Sequence, residues 1–400
     1  MYIIEKSAYI SKRKNEYIIG NRNNGKWIKI SKDRLDEINY VLKNNNDDYI
    51  EEKYNSLIAA GIVSKESEVH EDDGITSVMI AITNRCNLNC LHCGFSAHMG
   101  AKDEISLSDI KRIISENPHL EEVTITGGEP LVHSQICELL DFLSDNFNGR
   151  KILMTNATLI KEDIIQAVIR TFDHIAISID GARESTVDKM RGKGAYRKIL
   201  RAIELLKGKQ FENISLSMTL TECNYNEEED FLKLCEKLEV KPELRDLFIV
   251  GRAKENVDVL YSENINKMET PIIDECYMDN ERRHLQLTGR CEAGRRNVYI
   301  QYDGRIYPCP VAATNQKLLL GQIKDINCDL QKLKKTECYH KGCNYFKNIS
   351  PKEIKKCKDC DVNEFCWSCL QDYYAYIEDE KNFNVFCEQR KNILTKLVWG

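Results

Sequence analysis

The sequence predicts an α/β protein built on a parallel barrel or open parallel sheet, preceded by a small strand-and-helix module and followed by a cysteine-dense tail. Three observations carry this reading. Between Ser77 and Val250 a β-like run and an amphipathic helical run alternate six times. A charged stretch, SKESEVHEDDG, separates that region from a shorter one before it. The 17 cysteines fall mostly in two bursts, at residues 86–93 and 291–387, which thiols scattered through a core would not do. At 400 residues the chain exceeds one ordinary domain, so two or three compact units are expected.

Taken in order, residues 1–70 mix β-like stretches at Tyr2 to Ile4, Glu16 to Ile19 and Lys26 to Ile30 with two helical patterns. Leu35, Ile38, Val41 and Leu42 share one helix face; Ile50, Tyr54, Leu57 and Ile58 share another that Gly61 stops. Strands with two short helices predict a winged-helix-like module. Residues 71–255 hold the strands SVMIAIT, EEVTIT, KILMTN, HIAISID, ISLSMTL and LRDLFIV. They are apolar along most of their length, as strands are when helices cover one side and side chains fill the other. Ligands belong at the C-terminal ends of such strands. Residues 256–290 form a charged bridging segment. Residues 291–400 are rich in cysteine and poor in long periodic patterns, so something other than a large core must organise them.

Composition narrows the function. A formal charge of -6 and a pI near 5.9 lack the basic excess of a nucleic-acid-binding protein. The N-terminal MYIIEKSAYISKRK is broken by charges, unlike a signal peptide, and no apolar run reaches membrane-spanning length. A cytoplasmic protein without a membrane partner is expected. An odd number of cysteines in a reducing compartment argues for metal rather than disulfides, while the isolated Cys137, Cys223, Cys235 and Cys276 read as structural.

Directly after the first barrel strand stands Cys86-Asn87-Leu88-Asn89-Cys90-Leu91-His92-Cys93. Three thiolates on one tight loop suit three irons of a cubane [4Fe-4S] cluster and leave the fourth iron open. A structural zinc site, the competing use, closes with four ligands, for which only His92 is at hand. Gly127-Gly128-Glu129-Pro130 ends the second strand, where glycines admit close backbone approach. Glu129 would repel a phosphate but accept a charge-assisted bond from an ammonium. Asn156, Ser178 and Asp180 offer polar groups at the same rim, each equally suited to a turn or cap.

With these motifs the chain resembles the radical S-adenosylmethionine (SAM) superfamily and its partial (β/α)6 barrel. The resemblance implies that Cys86, Cys90 and Cys93 hold a [4Fe-4S] cluster whose open iron chelates SAM. Reduction by an electron donor such as flavodoxin or ferredoxin then yields a 5′-deoxyadenosyl radical. It further implies that His92 lies against adenine and that Gly127, Gly128 and Glu129 meet the SAM amino group. Asn156, Ser178 and Asp180 would face the ribose, Arg191 would pair with the SAM carboxylate, and Arg252 would belong to the GRA stretch after the sixth strand.

In the tail, Cys291, Gly304-x4-Cys309, Cys357-x2-Cys360-x5-Cys366-x2-Cys369 and Cys387 resemble the SPASM extension of peptide-modifying relatives, although the last spacing of the central group is x2 where that family has x3. A zinc module is the competitor, but its paired cysteines usually stand further apart. The resemblance implies one auxiliary [4Fe-4S] cluster on Cys357, Cys360, Cys366 and Cys387, and a second on Cys291, Cys309 and Cys369. Cys328, Cys338 or Cys343 would complete the second, or one iron would stay open to a substrate thiolate. The N-terminal module resembles, by topology and position, the precursor-recognition domain that binds a leader peptide as an added strand. A DNA-binding winged helix would want a basic second helix, and this one carries Asp47, Asp48, Glu51 and Glu52. The expected activity is therefore maturation of a ribosomally made peptide, most directly a cysteine thioether crosslink. Carbon–carbon crosslinking, formylglycine formation as in sulfatase maturases, and a non-catalytic iron–sulfur carrier are the alternatives.

Overall fold

The computed structural model describes residues 1–5, 7–21, 24–44, 46–66, 74–261, 278–279, 284–285, 291–348, 353–366 and 380–400. Two compact units emerge: one joins Met1–Asp73, Glu269–Glu292 and Asn344–Gly400, the other Gly74–Met268 and Ala293–Cys343.

The first unit opens with β1 (Tyr2–Ile4), which pairs antiparallel with β5 (Val63–Lys65). Between them β2 (Ala8–Arg13), β3 (Glu16–Asn21) and β4 (Trp27–Ser31) form an antiparallel sheet, followed by α1 (Lys32–Asn44) and α2 (Asp47–Ala59). Asn46 caps α2 by accepting from the Tyr49 N–H at 2.9 Å. The apolar stripes expected of both helices close over Tyr2, Ile19, Ile62 and Val63. β2 was not legible in the sequence: AYISKR groups three apolar residues before three polar ones with no strand-like alternation, and its strand character comes from pairing along its whole length with β3.

The second unit is a parallel β/α repeat. β6 (Ser77–Ala81), β7 (Glu122–Thr126), β8 (Arg150–Thr155), β9 (His174–Ser178), β10 (Ile214–Thr219) and β11 (Lys241–Arg245) alternate with α3 (Leu107–Glu116), α4 (Ile136–Asn146), α5 (Ile165–Thr171), α6 (Glu184–Arg191), α7 (Ala195–Gly208) and α8 (Glu228–Leu238). The antiparallel pair β12 (Met278–Asp279) with β13 (His284–Leu285) belongs to the first unit, and β14 (Asn297–Ile300), β15 (Arg305–Tyr307) and β16 (Gly321–Gln322) complete the second. The sheet runs β11-β10-β9-β8-β7-β6-β14-β15-β16, with β14 parallel to β6.

Three features depart from the sequence reading. The sixth strand is KPELR rather than LRDLFIV. As an edge strand it tolerates Pro242, and Leu247 instead packs with Leu91, Met190, Ala253 and Leu260 in a separate apolar cluster. The second face of the strands is not apolar throughout. Val78, Ile80, Val123, Ile125, Ile177, Leu216 and Met218 join the buried core, but their alternates include Ser178, Ser215, Ser217, Thr219, Glu243 and Arg245. And the first half of the tail has a large core after all: Val298, Ile300, Ile306, Leu320, Ile323 and Leu333 share that of the parallel repeat. Among the described residues, no helix is long and apolar enough to cross a membrane.

Candidate active site

The loop after β6 is fixed almost wholly through its backbone. Gly128 N–H donates to the Thr83 carbonyl and Glu129 N–H to the Arg85 carbonyl, both at 2.8 Å, and Leu91 N–H reaches Met190 O at 2.9 Å. From the segment after β11, Arg252 N–H donates to Cys93 O at 2.9 Å. The Arg252 guanidinium reaches Cys90 O at 2.9 Å and Ala97 O at 2.8 Å. Asn256 Nδ2 holds Leu91 O at 3.1 Å. Arg252 is thus placed as a clamp on the cysteine loop, its guanidinium satisfied by protein carbonyls.

Two glycines make this close approach possible. Gly127 has φ 152°, and a Cβ there would stand 2.6 Å from Thr83 O. Gly251 has φ 56°, and its Cβ would meet Cys93 O at 2.8 Å. Both positions combine a left-handed backbone with contact against the loop. Gly251→Ala is therefore expected to displace Cys93 and to lower the iron retained after anaerobic reconstitution, with far-UV circular dichroism little changed.

Around the loop the polar groups expected from the sequence do gather. Glu129 is fully buried; it accepts from Thr155 Oγ1 at 2.7 Å, Asn156 N–H at 2.8 Å and Leu131 N–H at 3.1 Å. Burial nonetheless outweighs these donors and raises its pKa, a state that an arriving cation would relieve. The Asn156 side chain donates to Asn87 Oδ1 at 3.0 Å and accepts from Thr158 Oγ1 at 2.6 Å. This ties the end of β8 to the cysteine loop.

Asp180, just past β9, sits at φ 63°, a strained conformation that its surroundings hold in place. Its Oδ1 accepts from Thr219 N–H at 2.7 Å, and its Oδ2 meets His92 Nε2 at 2.9 Å and the Arg191 guanidinium. Burial alone would push this carboxyl up, but Arg191 and His92 hold it well below the ordinary carboxylate range. Among the described residues His92 Nδ1 and Arg191 Nε are buried without hydrogen-bond partners, so each can still receive a polar ligand. Ser178 lies one row lower, with Ser217 Oγ at 3.4 Å from its hydroxyl. Sequence reasoning missed Asn87, Thr155, Thr158 and Asn224. Asn224 Nδ2 holds Asp180 O at 3.0 Å and Thr219 O at 2.8 Å. Only the Thr221-x-x-Asn224 turn pattern hinted at it.

Burial pushes the Cys86 thiol up to about 12 and raises that of Cys90, where Arg191 and Arg252 oppose the shift. Thiols must lose their protons to ligate iron, so cluster assembly on this loop should release protons. Reconstitution monitored near 400 nm is expected to slow as pH falls from 8.5 to 7 and to be unaffected by salt. Among the described residues no three His, Cys, Asp or Glu side chains are gathered as a single metal ion would need; a cubane makes a different demand, one thiolate for each of three irons.

Of the tail cysteines, Cys357, Cys360, Cys366 and Cys387 lie in the first unit. Burial raises the Cys366 thiol to about 12, and Cys357, Cys360 and Cys387 are close enough to add to the shift. Cys369 and Cys276 lie outside the described residues. Cys291 is exposed, at the end of one segment of the first unit, and Cys309 belongs to the second. Cys328 is buried in the core beside β16, Cys338 Sγ points to Leu319 O at 3.4 Å, and Cys343 packs on the same core. Cys235 is a buried core thiol, whereas Cys137 is exposed.

Residues 80–235 match the radical SAM superfamily, and residues 291–361 match the iron–sulfur cluster-binding SPASM domain. The mycofactocin maturase MftC of Mycolicibacterium smegmatis is 28% identical over 258 residues, covering 60% of this chain and 66% of that protein. The AdoMet-dependent heme synthase of Methanosarcina barkeri is 24% identical, covering 75% of this chain and 93% of that one. Streptococcus suis SuiB, crystallised with the precursor peptide SuiA, superposes with a TM-score of 0.56 at 15% identity over 95% of this chain and 97% of that chain. The aligned part thus spans about two thirds of MftC, and the likeness to SuiB is one of fold.

The chain thus carries a radical SAM domain over residues 80–235 and a SPASM extension over residues 291–361. It is an enzyme whose cofactors are SAM and [4Fe-4S] clusters, and the gathered thiols and the unsatisfied His92 and Arg191 nitrogens fit that pair.

Proposed function

We propose that this enzyme matures a ribosomally synthesised peptide by installing an intramolecular crosslink, with a cysteine thioether as the bond formed. The observation that carries the reading is the N-terminal sheet-and-helix module, whose β2 and β4 each pair on one side only among the described residues and so offer an edge to an extended leader peptide. The names of the mycofactocin maturase and of the SuiB–SuiA complex point the same way. In this reading Cys86, Cys90 and Cys93 hold the SAM-binding cluster, and Cys357, Cys360, Cys366 and Cys387 hold an auxiliary one. Cys291, Cys309 and Cys369 hold a second. When bound, the cluster and SAM would supply radical chemistry for removing a hydrogen atom from the peptide.

The chain's own residues do the positioning. Glu129 and Arg191 would receive the ammonium and carboxylate of SAM; His92, Asn156, Ser178 and Asp180 would receive its nucleoside; Gly127, Gly128 and Arg252 fix the loop. Flavodoxin or ferredoxin is the class of electron donor required.

Co-expression with a panel of short cysteine-bearing candidate precursor peptides, followed by mass spectrometry, tests the proposal. A peptide that loses two hydrogens per crosslink and resists thiol alkylation is the expected product. Loss of hydrogens with thiols still free would mean carbon–carbon bonds. An unmodified peptide, with SAM still cleaved, would move the substrate away from peptides.

A further inference from the structure

The three-stranded sheet of the N-terminal module has two faces, and both are occupied. Register places Tyr9, Ser11 and Arg13 of β2 beside Gly20, Ile18 and Glu16 of β3, and these beside Trp27, Lys29 and Ser31 of β4. All nine therefore share one face. The opposite face, through Tyr17, Ile19 and Ile30, packs on α1 and α2. An isolated wing would turn its first face to water. Here that face meets residues 361–365, the five-residue span between Cys360 and Cys366, and the end of the C-terminal helix (Glu380–Trp399).

The contacts are dense and specific. Tyr9 OH donates to Asn363 Oδ1 at 3.1 Å, and Asn363 Nδ2 donates in turn to the Cys357 carbonyl at 3.2 Å. Ser11 Oγ donates to Asp361 O at 3.1 Å, an acceptor shared with Trp399 Nε1 at 3.2 Å. Arg13 Nε pairs with Asp361 Oδ2 at 3.2 Å, and Lys29 Nζ reaches Trp399 O at 3.1 Å. The Trp27 ring meets Phe365 edge-on with centroids 5.2 Å apart. Ile18 is fully buried among Val362, Phe365, Leu394, Val398 and Trp399, and Cys360 and Cys366 border that cluster.

We infer that the module is a wall of the auxiliary-cluster site: Tyr9, Ser11 and Trp27 are positioning residues for the Cys357–Cys366 loop, and peptide engagement at the sheet is felt by the cluster. The inference rests on the assignment of these cysteines to an auxiliary cluster and of the module to peptide recognition. Its physical basis is that residues surrounding a cluster set ligand orientation, hydrogen bonding and solvent access, and through them its potential. Trp27 and Lys29 lie on an edge strand, so a strand added to β4 would run directly beside them.

The full chain, reconstituted anaerobically, provides the test. Trp27→Ala should lose one cubane's worth of iron and sulfide while keeping the SAM-induced change in the spectrum of the barrel cluster. The Tyr9→Phe and Ser11→Ala double variant, which removes the Tyr9–Asn363 and Ser11–Asp361 hydrogen bonds and leaves the apolar core side chains in place, should keep its iron and shift the auxiliary midpoint potential in a redox titration. Full iron and unchanged potentials in both variants would overturn the inference. In the wild type, a synthetic copy of the leader of whichever candidate precursor the enzyme modifies on co-expression should shift the same potential, and should do so less in the double variant. A leader that binds, by fluorescence anisotropy, without moving the potential overturns the transmission. A leader that does not bind overturns the recognition reading itself, while the iron counts and variant potentials still decide whether the sheet is a wall of the site.

Discussion

Cys90→Ala is expected to abolish release of 5′-deoxyadenosine, by at least about a thousandfold or ~4 kcal/mol of barrier, and to lower bound iron by about four atoms per chain. The fold should survive. The bonds that hold the loop use the carbonyls of Cys90 and Cys93 and the guanidinium of Arg252, none of which involves the Cys90 thiol. The same loss is expected at Cys86 and Cys93. A Cys90 variant that still cleaved SAM would remove the loop from the chemistry, whereas one that unfolded would show that the thiol has a packing role as well. Iron analysis with product chromatography, beside a thermal melt of the metal-free protein, separates these outcomes.

Arg191→Ala should have the second largest effect. Asp180 is 1% exposed, and its Oδ2 is balanced by Arg191 and His92 alone among the described residues. Removing the arginine leaves a buried carboxylate short of its main counter-charge, a change that costs about 3–5 kcal/mol of stability. SAM affinity should fall at the same time. Adding Asp180→Asn to Arg191→Ala should restore much of the stability and none of the SAM binding, which separates the structural role from the ligand role.

The pH dependence follows from the same pair. Because Asp180 titrates lower when folded than its unfolded value of about 3.9, its contribution is present above that value and is lost as pH falls through the folded one. In Arg191→Ala the folded value rises toward the unfolded one, so this contribution shrinks and less stability is lost between neutral and acid pH. Acid unfolding followed by far-UV circular dichroism, which reads the helices of the parallel repeat, measures the difference.

Much of the site was legible because its chemistry is carried by types and spacings that physics restricts. Three thiols within one loop, glycines at the end of the next strand, and an acidic residue after the fourth are visible without any coordinates, and the structure gathers Cys86, Cys90, His92, Glu129, Asp180 and Arg191 together. Less legible was anything decided by long-range pairing. β2 shows no strand-like alternation, and β3 makes it a strand by pairing with it. The sixth strand begins before its apolar run, because an edge strand has only one neighbour to satisfy and the run itself fills a different cluster.

The role of Arg252 is of the same kind. Sequence assigns it to the cofactor rim, but only coordinates reveal that two loop carbonyls accept its guanidinium protons. Nor could periodicity indicate that the residues between Cys360 and Cys366 rest on Tyr9, Ser11 and Trp27, because the two segments are more than three hundred residues apart.

The central claim is that the Cys86, Cys90 and Cys93 loop holds a cubane with one iron free for SAM. Electron paramagnetic resonance of the anaerobically reduced enzyme, before and after SAM is added, tests it most directly. The spectrum of one cluster should change on addition, and the change should vanish when the three cysteines become alanine while the tail signals remain. Zinc in place of iron at the loop, or a spectrum that SAM leaves untouched, would contradict the account.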